Sequence, residues 1–329
     1  MRPYTKAVTV AIIVSLLAVA ALSMLIPPSE DFMPDNPYWN GFSTLVETVN
    51  ITFTQTPATA LDPEAAVLAI ISPNKNITRD HIELVRGFAE EGGTILLMDE
   101  TGAINPILDD LNTGLRVEGH IMVDPVFYYG SWRLPKIMDI KPTTETENVE
   151  AIATDIPSTL KMLEQVPKTK IIAYSSTFTF QDLEEDLKPS QEEPIGPFPF
   201  AAVVSYGKGK IIVFSDSSLF INGVIEKGDN LQLLKNIVEE RTLVVDTSLW
   251  QPSTHSTVRD IVLATYKATS APEIKYTLVA CFAATTYIWA KGEKAKEDSD
   301  EVEELIKKHP QWSLQLLREL KKARENVPQ

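Results

Sequence analysis

The sequence predicts an α/β protein: a mostly parallel, three-layer αβα sheet with an antiparallel edge hairpin, flanked by N- and C-terminal transmembrane helices. Three observations predict it. Two unbroken apolar runs, residues 66–72 and 94–98, enclose a helix-patterned segment at 79–91; strands buried on both faces read this way because crossover helices cover both sides of a parallel sheet. Two more apolar runs, 200–205 and 210–214, are joined by Tyr206-Gly207-Lys208-Gly209, whose glycines suit a hairpin. Finally, two uncharged stretches stand near the two ends of the chain.

In chain order, residues 7–26 form an uncharged run of 20 residues, long enough to cross a bilayer core as a helix. Arg2 and Lys6 precede it, so an anchor over 1–28 leaves the α/β domain outside the cytoplasm. A cleaved signal peptide is the rival reading, but the run ends in SMLIPPSE, without a small-x-small site. The Pro-rich acidic stretch 27–37 reads as a stalk or leading loop, 39–49 as a short amphipathic helix, and 50–54 as a strand. Thr78 caps the helix at 79–91, and Gly92-Gly93 ends it.

Region 113–168 is long and strand-poor, and 181–199 is a Pro- and acid-rich loop; loops of this length are functional or mobile. A strand is expected at 170–173, and a helix at 230–241 closes an α/β domain spanning 29–247. Segment 248–273, with a helix at about 257–267, connects to a second apolar segment, 274–290, followed by Lys291, Lys294 and Lys296 and carrying Tyr287 and Trp289 as interfacial aromatics. Two crossings then place both termini in the cytoplasm; a buried or interfacial helix is the other reading of this shorter stretch. The charged tail, 291–329, is helical in pattern through Val302, Leu305 and Ile306, then Trp312, Leu314, Leu316, Leu317 and Leu320. It reads as a cytoplasmic helical pair or a partner-docking helix.

The formal net charge of −15 argues against nucleic acid as a partner, because such binding relies on Lys and Arg neutralising phosphates. The single cysteine, Cys281, lies in the second apolar segment, which rules out intramolecular disulfides, a thiolate zinc cluster and a Cys nucleophile in the main domain. His81, His120, His255 and His309 lack the short spacing of a local zinc site and read as surface or loop residues. No metal and no cofactor is implied. Two sequons, at Asn50 and Asn76, lie in the segment placed outside.

Ligands of open α/β sheets bind beyond the carboxyl ends of the strands. Three such ends stand out: Ser72-Pro73-Asn74-Lys75, Asp99-Glu100-Thr101-Gly102 and Ser215-Asp216-Ser217-Ser218, the last running on to Asn222. If the sheet assembles as argued, Asp99, Glu100, Thr101, Asp216, Ser217, Ser218 and Asn222 form a candidate ligand site able to bind a divalent cation or sugar hydroxyls. The plainer reading makes Asp99 and Asp216 caps of the following turns. In residues 124–135, Tyr128, Tyr129, Trp132 and Arg133 form a candidate recognition loop, or else pin that loop to its own domain. The chain has neither a phosphate-binding Gly-rich loop nor a Gly-x-Ser-x-Gly elbow.

Asn36-Pro37-Tyr38-Trp39-Asn40-Gly41, Glu91-Gly92-Gly93-Thr94, Asp99-Glu100-Thr101-Gly102 and Gly207-Lys208-Gly209-Lys210 leading to Ser215-Asp216-Ser217-Ser218-Leu219-Phe220 resemble the domain-of-unknown-function family 4350, over about 31–241. The resemblance implies a flavodoxin- or amidotransferase-like fold, a divergent form of the class I glutamine amidotransferases, similar to soluble domains of gliding-motility-type ABC transporter auxiliary proteins. It also implies membrane anchoring and an association with envelope or secretion systems built around AAA-type ATPases. The parent's Cys nucleophile would fall in the turn 98–102, where an acid now stands, so the inherited chemistry is expected to be lost.

The leading expectation is therefore a membrane-anchored, non-catalytic binding or scaffold module of the cell envelope, with the bilayer and envelope or transporter proteins as partners. The alternatives are a carboxylate- or metal-dependent hydrolase of envelope glycans, using Glu100 or Asp99 as base, and an accessory subunit of an ABC-type transporter.

Overall fold

A computed structural model describes residues 3–25, 27–55, 61–251 and 254–325, divided into a unit of residues 1–257 and a unit of 258–329. The first unit begins with α1 (Pro3–Leu25), α2 (Ser43–Thr48), β1 (Ile51–Thr54), β2 (Ala66–Ile71), α3 (Arg79–Glu90), β3 (Thr94–Met98) and α4 (Asn105–Asp110). Six short strands come next: β4 (Leu115–Val117), β5 (Ile121–Val123), β6 (Lys136–Ile137), β7 (Asp139–Ile140), β8 (Ile152–Ala153) and β9 (Leu160–Met162). Then come β10 (Thr169–Tyr174), β11 (Phe180–Asp182), β12 (Pro199–Tyr206), β13 (Gly209–Phe214), α5 (Asn230–Val238) and β14 (Thr242–Asp246). The second unit holds most of α6 (Thr254–Ser270), with α7 (Pro272–Lys308) and α8 (Leu314–Glu325).

Eight strands form one mixed sheet in the order β1-β14-β2-β3-β13-β12-β10-β7. The first five are parallel and the last three join antiparallel, with β12 and β13 as the hairpin. Ile71, Met98 and Phe214 share one cross-strand row, so the turns after β2, β3 and β13 leave the sheet side by side. Alternation along the strands divides the apolar side chains between two faces. Leu96, Met98, Ile212 and Phe214 meet α2 and α5 through Leu45, Leu233 and Ile237; Ile95, Leu97, Ile211 and Val213 meet α3 and α4 through Val85, Phe88 and Ile107. Burial on both faces is what turned these strands into continuous apolar runs.

At the opposite end of the strands, two Gly-rich turns interlock. A Cβ at Gly209 would stand 2.1 Å from the Gly93 carbonyl oxygen, while Lys210 N donates to that oxygen at 3.2 Å. No side chain fits there, which explains both glycine motifs without a ligand.

Several expectations are corrected. Among the described residues no helix is long and apolar enough to cross a membrane, which overturns the flanking transmembrane helices and, with them, the two-pass placement of the domain and termini. In α7 the apolar stretch 276–290 spans only about 23 Å, against about 30 Å of bilayer core, and Lys275 bounds it. Within it Thr285 and Thr286 turn their hydroxyls back onto the carbonyls of Cys281 and Phe282. Arg2, Ile26, and the side chains of Lys6, His255, Trp289, Lys291, Lys294 and Lys296 lie outside the described residues.

The helix expected at 230–241 stops at Val238, because 242–246 forms β14 between β1 and β2. The strand-poor region 113–168 contains the six short strands β4 to β9, stitched into pairs by partners distant in sequence. In the second unit, the charged tail continues α7 without a break to Lys308, and His309 stacks on Trp312 at 4.3 Å before α8.

Candidate functional site

Asp99 follows β3 and is fully buried. Its Oδ1 accepts from Thr101 N at 2.9 Å and Thr101 Oγ1 at 2.7 Å, and its Oδ2 accepts from Ile104 N at 3.1 Å. Both oxygens therefore hold the turn into α4, and Thr101 is part of that clasp. Gly102 continues the turn at φ +90°, where a Cβ would meet Asn105 Nδ2 at 2.8 Å.

Glu100 points the other way. Its Oε2 accepts from Ser217 N at 3.0 Å, across to the turn after β13. Burial, with the neighbouring Asp99 charge adding, raises the Glu100 pKa despite the hydrogen bonding from Ser217. Asp216 is fully buried; its Oδ1 accepts from Ser218 N at 2.7 Å and its Oδ2 from Asp155 N at 2.9 Å. Burial first, then Glu100 and Asp155, hold the Asp216 carboxyl well above the usual range. Asp155 is raised by burial and by Asp31. The buried Ser217 hydroxyl faces Glu100, and hydrogen bonding from it opposes the rise of the Glu100 pKa.

The residues foreseen at this edge thus divide by role. Glu100, Asp216 and Ser217 converge, with Ser218 beside them through its main chain. Asn222 lies apart: its Oδ1 accepts from Thr44 N at 2.8 Å, and its Nδ2 donates to Asn36 O, Tyr38 O and Ser43 Oγ at 3.0, 2.7 and 3.0 Å. It clips the 36–44 segment to the β13 turn. Asn36 is itself buried, and a Cβ on Gly41 would stand 2.1 Å from its carbonyl oxygen. The Asn36–Gly41 motif is thereby accounted for structurally, leaving Tyr38 and Trp39 exposed at 48% and 64%.

Asp155 and Asp31 were not foreseen. Asp155 lies 61 residues before Asp216, in a segment whose only local signal is Pro157. That segment also joins the aromatic loop to the acidic edge. Ile156 N donates to Arg133 O at 3.0 Å and Thr154 Oγ1 to Pro135 O at 2.7 Å. Ile156 takes φ +55°, a left-handed conformation that a β-branched residue rarely adopts.

Within the loop, Tyr128 bridges Pro135, and Tyr129 packs against the core with Lys136 Nζ 5.6 Å from its ring centre. Trp132 and Arg133 are held by their carbonyls, which accept from Asp124 N and Ile156 N. Main-chain bonds fix this loop onto its own domain.

One further constellation, at the ends of β2 and β14, resembles a hydrolytic pair: His81 Nε2 lies 3.1 Å from Ser248 Oγ. However, His81 Nδ1 accepts from Thr78 N at 3.3 Å as the third residue of α3's capping box. The ring proton then sits on Nε2 and is donated to Ser248, the reverse of what a general base requires. Among the described residues, no group of three or more His, Cys, Asp or Glu stands where it could hold a metal ion.

A comparison with curated proteins finds no match. Among solved structures, the chain is similar to the mmIFT52 N-terminal domain, at 18% identity and TM-score 0.40 over 51% of this chain and 73% of that one. It is similar to a β-galactosidase from Bacillus circulans sp. alkalophilus at 14% identity and TM-score 0.32, over 51% of this chain and 22% of that one. It is also similar to Cytoplasmic Protein STM3548 from Salmonella typhimurium, at 12% and 0.32, over 55% and 76%. Residues 34–238, more than half of the chain and including both turns of the acidic edge, match the profile described as Domain of unknown function (DUF4350), and the protein belongs to that family.

Proposed function

We propose that the chain is a non-catalytic binding module whose ligand seat is the carboxyl edge made by Glu100, Asp216 and Asp155. The observation that carries this reading is the convergence of three chain segments at one sheet edge, tied by Ser217 N to Glu100 Oε2 at 3.0 Å and by Asp155 N to Asp216 Oδ2 at 2.9 Å, where burial holds the carboxyls above their usual pKa.

The amidotransferase-like resemblance supports the absence of turnover. At the turn where that fold would carry its thiolate, both oxygens of Asp99 are engaged in capping. The one cysteine, Cys281, is exposed and falls outside the family's match. Thermal-shift and ligand-observed NMR screening of the full chain against sugars, amines and organic acids is expected to find a ligand whose binding weakens in Glu100→Gln and Asp155→Asn. Hydrolysis or amide transfer that disappears in Glu100→Gln would overturn the proposal.

One observation favours a second reading, a glycan hydrolase without a metal. The raised pKa of Glu100 suits a general acid. A rate that rises and then falls with pH, with the acid limb shifted in Asp155→Asn, is what that reading requires.

A further inference from the structure

The two borders of the large sheet are built differently. β7, the last strand on one side, has two residues and carries the Asp139–Lys141 ion pair; a short, charged border of this kind resists pairing with another chain. β1 closes the other side with four residues, in a stretch from Asn50 to Gln55 that holds no charge and no proline. On its inner side β1 runs parallel to β14, and Asn50 O and Thr54 O accept from Leu243 N at 2.8 Å and Thr247 N at 2.7 Å. Alternation along the ladder puts Thr52 on that same side, so Ile51 and Phe53 aim their N–H and C=O groups outward. Among the described residues no further strand pairs with them.

We propose that a second copy of this chain takes up these groups, β1 lying antiparallel to its own copy about a two-fold axis at Thr52, so that the two sheets continue into one. In that register the strand is complementary to itself. Ile51 stands opposite Phe53 of the second copy, and each such pair exchanges both of its N–H···O bonds. The side chains agree with the main chain. Ile51 and Phe53 share the face that packs on the core, which makes the cross-strand neighbours a β-branched and an aromatic residue, and on the other face Thr52 meets Thr52, a pairing that sheets favour. Other registers fit less well. An axis at Ile51 sets Phe53 opposite Val49, whose N–H is already spent on Leu45 O at 3.2 Å, and an axis at Phe53 sets Ile51 opposite Gln55, past the end of the strand. Charge points the same way: each copy carries −15, and an uncharged border lets two such chains meet without burying a carboxylate. The pairing does not depend on the acidic edge.

The test is sedimentation velocity of the full chain over a concentration series, joined to cross-linking of single introduced cysteines in a Cys281→Ser background. The expected result is a reversible monomer–dimer equilibrium that tightens as salt screens the like charge of the copies. Thr52→Lys should weaken it about tenfold or more, because it sets two ammonium groups opposite each other. Thr52 is exposed in the single chain, so thermal unfolding of that variant at low concentration should stay that of the wild type. Thr52→Cys should oxidise to a cross-linked dimer, since residues directly opposite in a non-hydrogen-bonded pair have Cα atoms about 4.5 Å apart. Thr54→Cys, opposite Asn50 of the second copy, should not. A chain that stays monomeric at every concentration overturns the inference. So does self-association that Thr52→Lys leaves unchanged, which would put it on other surfaces such as the exposed apolar side chains of α7, and so does equal cross-linking at the two positions. If no dimer forms and a synthetic peptide of residues 49–55 binds the wild type more tightly than Thr52→Lys, the border takes a strand from a different protein and the second copy falls.

Discussion

Glu100 and Ser217 join the two turns of the seat: the Ser217 main-chain N–H donates to Glu100 Oε2 at 3.0 Å, tying the end of β3 to the end of β13. The bond needs an acceptor there but no charge. Glu100→Gln keeps the acceptor and removes a carboxylate that burial and Asp99 destabilise. That variant is expected to unfold at higher temperature than the wild type at pH 7.5. Glu100→Ala leaves Ser217 N unsatisfied and should cost on the order of 1–3 kcal/mol. Thermal unfolding of the pair at one pH separates the two effects.

The carboxyls of this edge set the pH dependence. Glu100, Asp155 and Asp216 are raised in the folded chain, so the folded state holds more protons than the unfolded one above about pH 4. Their contribution is full below that pH and is lost as pH rises through the raised values. Glu118 and Glu145 act oppositely. In each, burial works against the charge, but hydrogen bonds from Gln181 and Thr159, or from Lys210, prevail and lower the pKa. Their contribution is present above about pH 4.3 and is lost as pH falls through the lowered values. On acidification from pH 7.5 the raised group takes up protons before the lowered pair does, so the melting temperature should rise first. The rise should shrink in Asp155→Asn; a fall in the wild type contradicts the assignment.

Lys210 pairs with Glu145 at 2.6 Å, and the Glu145 side chain is 5% exposed. Removing the cation strands a buried carboxylate. Lys210→Met is expected to lose on the order of 3 kcal/mol, while Lys210→Met combined with Glu145→Gln recovers much of it. Urea unfolding of the double-mutant cycle measures the difference.

Asn222 makes four hydrogen bonds to the 36–44 segment. Asn222→Ala should cost about 2–4 kcal/mol, at about 1 kcal/mol per bond. The loss should be local as well as global. Limited proteolysis is expected to cut near residues 36–44 sooner than in the wild type, with the sheet still protected.

Ile156 sits in the left-handed region at φ +55° and is 41% exposed, so little burial is lost on replacing it. Ile156→Asn should raise stability by about 1 kcal/mol, because Asn tolerates this conformation. Thermal unfolding detects it.

Both turns of the seat were legible because the strands feeding them, β3 and β13, are continuous apolar runs that announce burial on two faces. Residue type and position then placed Glu100, Asp216 and Ser217 at one edge. The third carboxyl was not legible: Asp155 reaches Asp216 through its main chain across 61 residues, a relation no local pattern encodes. β14 was absorbed into the preceding helix because Leu243, Val244 and Val245 continue an apolar pattern, and only a place between β1 and β2 makes them a strand. The short strands β4 to β9 have two or three residues each, too few to show a period. The apolar segment of α7 misled because its uncharged stretch, bounded by Lys275, is too short as helix to span a bilayer core.

The placing of β14 between β1 and β2 also bears on how the chain is made. Asn50 and Thr242, bonded side chain to side chain at 2.8 Å, are 192 residues apart, and β2 waits for the same late strand. On a ribosome, the early β1 and one open border of β2 must stay unmatched until almost all of the sheet's sequence has emerged. Assembly of this border is a closing event with a large loop to shut, and a chain cut short before residue 242 would leave it sticky toward other nascent strands.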